Sequence, residues 1–347
     1  MNNNFSLYQL GWQPFFQQQL SLAELESNNI ARVIAHHRTH YVLQAEAEQV
    51  ELAITSNLPN LTVGDWLLLD QNMMYCRQLE RKSVFKRKSP GSKVAEQLIA
   101  ANVDTLFIVC SLNHDFNLSR IERFLALAHE AMVEPVVVLT KRDLCQDVLD
   151  KKRLVQELDM SLIVEAVNSL DDKTVAVLEP WCGSGKTVSF TGSSGVGKST
   201  LVNTLLGKQV QQTAGIREDD SKGRHTTRAR VMSFLEAGGA IIDMPGMREL
   251  QLMDCEEGVH HTFEDIERLA NSCKFSDCSH QGEPGCAIQA AIDNGEIEQR
   301  RLMNYRKLLS EQQRNSATLK EKRDKEKAFS KHCKVTLADA IAFKRGL

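Results

Sequence analysis

The run Gly192-Ser193-Ser194-Gly195-Val196-Gly197-Lys198-Ser199-Thr200 constrains this chain more than any other feature. It follows the apolar segment Thr187–Thr191 and precedes Leu201-Val202-Asn203-Thr204-Leu205-Leu206, so a strand, a glycine-rich turn and a helix are expected in that order. Glycines let the backbone N–H groups curl around phosphate oxygens, and the helix N-terminus favours their charge. Residues Gly192 to Thr200 are therefore the expected phosphate site. Lys198 would reach the β- and γ-phosphates, and the Ser199 hydroxyl would hold Mg²⁺. A similar tail at Gly183-Ser184-Gly185-Lys186-Thr187 is rejected, because Pro180 stands where the first glycine belongs and the run leads into a strand.

Three further apolar runs surround this motif: Thr105–Val109, Val136–Leu139 and Ala240–Ile242. With the helical pattern Leu118 to Met132 between the first two, they read as a parallel sheet covered on both faces. Thr140-Lys141-Arg142-Asp143 follows the second run. A carboxylate at Asp143 can accept from both N1–H and the exocyclic amine of guanine, and adenine offers neither donor there, so the motif selects GTP. Asn168-Ser169-Leu170 is a poor candidate for the remaining guanine-side loop. Asp243-Met244-Pro245-Gly246 follows the third run, where Asp243 could hold magnesium through water and the Gly246 amide could sense the γ-phosphate.

Upstream of Asp243 lies Gly223-Arg224-His225-Thr226-Thr227-Arg228, in which Thr226 or Thr227 could coordinate Mg²⁺ as a switch. Met247 occupies the position where glutamine commonly orients water, so His225 is the nearest catalytic candidate. The order is unusual: the guanine-selecting Asp143 precedes Lys198, as in a circular permutation, which domains with adjacent termini tolerate.

Outside this unit the patterns change. Ala31–Ala35, Tyr41–Ala45, Val50–Ile54, Val63–Leu69 and Met74–Leu79 read as short strands of a small barrel, of the OB type or SH3-like. Residues 1–27 hold no Lys or Arg and read as a peripheral extension with a turn or two of helix around Leu7, Leu10, Trp12 and Phe15. Arg77 to Lys93 carries seven basic residues against Glu80 alone, and reads either as a solvated linker or as a contact for RNA phosphates. Cys273, Cys278, His280 and Cys286 offer three thiolates and an imidazole, a closed tetrahedral set for one structural Zn²⁺. The other six of nine cysteines are scattered, as expected of reduced thiols. His36, His37, His40, His260 and His261 read as ordinary surface residues.

Charge is segregated. The net value is −3, yet Glu296 to Leu347 alone carries 14 Lys/Arg against 7 Asp/Glu, which leaves the remainder at −10. The run Lys320–Lys327 within that tail reads as a solvated helix face or as an RNA contact. No segment has the roughly 18 apolar residues needed to span a bilayer, and the first residues do not read as a secretory signal. A cytoplasmic protein without membrane contact is expected.

The expected fold class is a multi-domain chain: an N-terminal OB-type barrel, a central α/β circularly permuted P-loop GTPase domain, and a zinc-binding helical C-terminal domain. The expected bounds are an extension over 1–27, barrel and basic linker over 28–90, GTPase over 91–260, and the zinc-binding part over 261–347. Ala101–Asp104, Ser111–Asn117, Gly192–Thr200, Gly223–Thr227 and Cys273–Cys286, in that order, resemble the ribosome small subunit-dependent GTPase A family (RsgA/YjeQ). The resemblance implies an OB fold on ribosomal RNA, GTP hydrolysis to GDP stimulated by the small ribosomal subunit, a role in that subunit's late maturation, and His225 as catalytic histidine. Two departures stand out: many members open with a basic arm, absent here, and the family's guanine-side Ser-Ala is replaced by Asn168-Ser169. A monomer is expected. The alternative reading is a nucleotide-gated module acting on other structured RNA.

Overall fold

A computed structural model of the chain describes residues 5–88, 96–171, 173–207, 230–236, 238–243 and 255–316. Two short helices, α1 (Pro14–Gln17) and α2 (Leu22–Ser27), lead into β1 (Asn29–His36), β2 (His40–Gln44), β3 (Gln49–Ala53), β4 (Trp66–Leu69) and β5 (Tyr75–Gln78). These strands pair antiparallel in the order β3-β2-β1-β4-β5. Alternate residues Ala31, Val33, Tyr41, Leu43, Leu67 and Leu69 point to one side and share a core with Leu61, as the period of two requires. Among the described residues no backbone ladder joins β5 to β3.

The N-terminal extension is not peripheral. Leu10 is fully buried and Phe16 nearly so, packed with Trp66, Leu68 and Leu79. Trp12 and Phe16 lie 4.9 and 5.8 Å from Trp66, ring centre to ring centre, and such pairs add about 0.5–1.5 kcal/mol each beyond area burial. Its lack of Lys and Arg resembles loop composition, while the aromatic and aliphatic residues set between its polar ones supply the buried contacts.

The basic segment after β5 is structured as well. It forms β6 (Val84–Lys88), a hairpin with β7 (Glu96–Ala101). Arg77 pairs with Glu24 at 2.8 Å, Arg81 with the buried Asp65 at 2.7 Å, Lys82 with Asp104 at 2.9 Å and Lys86 with Glu96 at 3.8 Å. Four of its cations therefore face carboxylates of the chain itself rather than a free loop's solvent. Ser89, Pro90, Gly91 and Lys93 lie outside the described residues.

The parallel sheet comes next. Its elements are β8 (Thr105–Ser111), α3 (Leu118–Glu130), β9 (Glu134–Thr140), α4 (Val148–Gln156), β10 (Ile163–Ala166), α5 (Lys173–Cys182), β11 (Thr187–Thr191), α6 (Lys198–Leu206), β12 (Arg230–Phe234) and β13 (Ala240–Ile242). Strand order is β10-β9-β8-β11-β13-β12, with β12 antiparallel to β13 and the others parallel. Every residue of β8, β11 and β13 is buried, which explains their unbroken apolar runs. The N-terminal antiparallel strands and this sheet are continuous, since β1 pairs with β12 through Ala35–Val231 and His36–Arg230.

Arg32 sits at that junction, fully buried. Its guanidinium donates to the carbonyls of Leu10, Gly64 (3.3 Å) and Asn102 (3.0 Å) and to Thr187 Oγ1 (2.8 Å), and lies over the Trp66 ring. Burial lowers its pKa to about 10, so it stays charged at neutral pH, with Asp104 and Asp65 nearby.

The remaining helices are α7 (Glu256–Thr262), α8 (Glu264–Ala270), α9 (Ala287–Asp293) and α10 (Gln299–Ser316). Helix α7 spans the expected boundary at residue 260 and packs on α3, while α10 is tied to α3 by Arg123–Glu311 (2.6 Å) and by Arg300 and Arg301 on Glu122 (2.9 Å each). No helix among the described residues is long and apolar enough to cross a membrane.

Candidate functional site

Strand β11 delivers the phosphate loop at the C-terminal edge of the sheet. Gly192 has φ +139°, and a Cβ there would stand 2.2 Å from the Val109 carbonyl oxygen; only glycine lets the loop cross β8 so closely. Val196 is buried and anchors the loop to the core, whereas Ser194 and Gly195 are exposed at its crest. Lys198 opens α6 and folds back, its Nζ donating to the carbonyls of Gly192 (2.8 Å) and Ser193 (2.5 Å). Gly197, Ser199 and Thr200 are half-buried beside it. The rejected tail Gly183–Thr187 indeed runs into β11, with Pro180 inside α5.

The Thr140–Asp143 motif is clipped to this loop. Thr140 ends β9 fully buried, and its hydroxyl donates to the Val196 carbonyl at 2.6 Å. Lys141 takes a left-handed backbone, φ 59°, and its Nζ donates to the Gly195 carbonyl at 3.0 Å. Arg142 and Asp143 occupy a short 3-10 turn, and Asp143 is exposed. Together with Val167, Asn168 and Thr174 they line a cavity of about 340 Å³.

Asn168–Ser169–Leu170, a poor candidate by residue type, follows β10 and Val167 to the edge of this cavity. The Arg142 amide donates to the Val167 carbonyl at 3.2 Å, Thr174 Oγ1 to the Asn168 carbonyl at 2.6 Å, and Thr204 Oγ1 to the Ser169 carbonyl at 2.8 Å. The loop thus bridges the Asp143 turn and α6. Its residue types gave no signal; its place after the strand next to β9 would have found it, but β10 has only four residues and its apolar Ile163 is exposed.

Asp243 stands exposed just past β13, whose neighbour β11 carries the phosphate loop, and Ser189 Oγ donates across that pair to the Ile242 carbonyl at 2.7 Å. A carboxylate at that edge suits a Mg²⁺ ion bound with nucleotide. His225, Thr226, Thr227 and Gly246, and the rest of Gly223–Arg228, lie outside the described residues, as does Lys320–Lys327.

The metal candidates do converge. The ligand atoms of Cys273, Cys278, His280 and Cys286 all lie within 4.8 Å of one another, although two loops and a helix start supply them. His280 Nδ1 is 3.5 Å from Cys273 Sγ and 3.6 Å from Cys286 Sγ. The amides of Ala287 and Gln289 donate to the sulfurs of Cys273 and Cys286, each at 3.4 Å, and at Cys273 backbone donors of this kind lower the thiol pKa. Glu283 accepts from the Ser279 amide at 3.0 Å and the Gln281 amide at 2.6 Å, closing the knuckle. Three sulfurs and one imidazole at this spacing fit a tetrahedral Zn²⁺ and not a hard oxygen-loving cation.

A phosphate loop on a parallel sheet, with the guanine motif earlier in the chain but adjacent in space, defines a circularly permuted P-loop GTPase. Comparison with known proteins makes the class specific. The model of the RsgA GTPase family matches residues 78–253. A Vibrio parahaemolyticus protein named small ribosomal subunit biogenesis GTPase RsgA 2 is 61% identical over 96% of this chain and 93% of its own. The Mesorhizobium japonicum protein named small ribosomal subunit biogenesis GTPase RsgA is 45% identical over 90% of this chain and 91% of its own. Among solved structures, YjeQ from Thermotoga maritima aligns with a TM-score of 0.60 at 26% identity, covering 82% of this chain and 98% of that one. YloQ, titled a circularly permuted GTPase, also gives 0.60 over 84% of this chain and 96% of that one, at 23% identity, a likeness of fold. The chain belongs to the RsgA GTPase family.

Proposed function

We propose that this chain hydrolyses GTP to GDP during late maturation of the small ribosomal subunit, with hydrolysis stimulated by the subunit and coupled to release. The single observation that carries the nucleotide part is the fastening of Thr140 and Lys141 to the phosphate loop, which sets a guanine reader at a fixed distance from a phosphate cradle. The ribosomal part rests on the names of the relatives.

In this reading Gly192 to Thr200 hold the phosphates through their amides, Lys198 turns from its own loop carbonyls to the β- and γ-phosphates, and Asp143 accepts from the guanine edge. Mg²⁺, held by Ser199 and Asp243 with Thr226 or Thr227, supplies charge neutralisation when bound with GTP. The Gly246 amide senses the γ-phosphate, and His225 orients the attacking water. Zn²⁺, one per chain on Cys273, Cys278, His280 and Cys286, acts structurally. The OB-type barrel and the basic C-terminal tail face ribosomal RNA, and the protein works in the cytoplasm as a monomer.

Hydrolysis by the purified protein with and without small subunits tests this directly. Slow turnover alone and a marked rise with subunits are expected; no rise, or equal turnover of ATP, refutes it. His225→Ala should abolish the rise while GTP-dependent subunit binding persists, and equal affinity for unrelated structured RNA would instead favour a general RNA-binding module. Asp143→Asn should weaken GTP binding about a hundredfold and favour a xanthine nucleotide, whose 2-carbonyl accepts from the new amide.

A further inference from the structure

Cys145, Asp147 and Lys151 form a cluster that nucleotide binding does not use. Cys145 is half-buried at the end of the turn that carries Asp143, and its amide donates to the Arg142 carbonyl at 3.3 Å. Its thiol donates to Asp147 Oδ1 at 3.0 Å. Lys151 Nζ lies 3.5 Å from the sulfur and donates to the same Asp147 oxygen at 3.0 Å. Two groups from the loop after β8 also hold that ammonium: the Leu112 carbonyl accepts from it at 3.1 Å, and the Phe116 ring centre is 5.8 Å away.

A thiol with an acceptor for its proton, a fixed cation and partial solvent access has what a reactive cysteine needs. Among the described residues, the other thiols outside the metal cluster differ. Cys110, Cys182 and Cys255 are buried, and burial pushes their pKa values up. Cys76 is exposed, and its described partners are the Asn28 amide and the Met74 carbonyl, neither of them charged.

We propose that Cys145 is a peroxide-reactive thiol whose oxidation to a sulfenic acid loosens guanine-nucleotide binding, the second half resting on the nucleotide reading above. Asp147 takes the thiol proton, and the sulfur attacks one oxygen of hydrogen peroxide. The S–O bond forms as the O–O bond breaks, and the departing hydroxide takes a proton from Lys151, which recovers one from Asp147. The sum is Cys–SH and H₂O₂ giving Cys–SOH and water, with sulfur losing two electrons and peroxide gaining them. The sulfenic acid no longer offers Asp147 the S–H donor at 3.0 Å or Lys151 the bare sulfur at 3.5 Å, so the turn from Arg142 to Cys145 shifts and Asp143 moves with it.

The test treats the zinc-loaded full-length protein with hydrogen peroxide, traps sulfenic acid with dimedone and compares Cys145 with Cys76 by peptide mass spectrometry. Cys145 should be labelled at least about fivefold faster, Lys151→Met should remove that advantage, and Lys151→Arg should keep it. Oxidation should weaken GTP binding about tenfold, the scale of one displaced hydrogen-bonding group. A thiol reductant should restore it, and Cys145→Ser should be immune. Faster labelling of Cys76, or labelling that ignores Lys151→Met, overturns the proposal; labelled Cys145 with unchanged GTP affinity overturns the coupling. Failure of the untreated protein to bind GTP would count against the nucleotide reading, while the labelling order still decides the reactivity.

Discussion

Glu122 shows how far a residue's role can lie from its local sequence. It is fully buried on α3 and accepts from Arg300, Arg301 and Asn304, residues some 180 positions further on. Arg301 in turn binds Asp265 at 2.8 Å and the Thr262 carbonyl at 3.0 Å. Removing one member of a buried ion network leaves the other charges uncompensated, at a cost of about 3–5 kcal/mol. Glu122→Ala should therefore lower stability by that amount in urea unfolding, against under about 1 kcal/mol for exposed pairs such as Lys86–Glu96. His129 offers a second check. Burial, and the neighbouring His261 ring 4.1 Å away, lower its pKa to about 4 from 6.5. The folded state thus holds neutral imidazole while the unfolded chain takes a proton below about pH 6.5. Stability from this group is complete above that pH and declines as pH falls toward 4, by about 2 kcal/mol. His129→Gln should flatten the fall of unfolding free energy between pH 7 and pH 4.5.

At the scale of elements, the strands buried on both faces are legible even when short, as β13 is, whereas β10 and β12 are not. β8, β9 and β11 announce themselves because both faces are covered, so their sequences carry no charged residue apart from the exposed Glu134 and are rich in β-branched and aromatic side chains. β10 and β12 escape notice because they are short and partly exposed, and without β10 the Asn168–Leu170 loop had no address. The glycine-rich loop, the Asp143 motif and the Cys273–Cys286 cluster stand out in the sequence because phosphate, base and metal chemistry each demand fixed residue types. The aromatic extension was misread because amphipathic pieces of four to six residues carry too little periodicity to place. Helix pairing was equally silent: Gly258 lets α7 approach α3 so closely that a Cβ would lie 2.1 Å from the Ala126 carbonyl oxygen and 2.9 Å from Glu130 Cβ. Alanine would gain about 1 kcal/mol of helix propensity, yet overpacking against backbone should outweigh it, and Gly258→Ala is expected to destabilise by about 2 kcal/mol net in thermal unfolding. For the metal knuckle, chelation or Cys286→Ser should raise hydrogen exchange across residues 273–286 and lower the melting temperature. An unchanged melting curve with no bound metal by elemental analysis would remove the metal reading.

At the scale of the whole molecule, the N-terminal extension fastens the β1–β5 strands to the GTPase sheet. Gln13 Nε2 donates to Asp104 at 2.9 Å and to the Gly185 carbonyl at 2.7 Å, and Leu10 supplies a carbonyl to Arg32. Deleting residues 1–20 should uncover Trp66 and Leu68, lower the melting temperature and increase binding of an apolar dye; a truncated protein that melts like the full chain would refute this.

The ladder between β1 and β12 carries one more consequence, for inheritance rather than for chemistry. A unit joined by a flexible tether can be lost, exchanged or borrowed whole between genes. Here, taking away the first eighty residues would strip β12 of its partner and leave raw backbone donors and acceptors along a sheet rim, an invitation to stick to other copies. The N-terminal sheet is thus less a passenger than a missing edge, and descendants of this chain are expected to keep the two together or cap that rim anew.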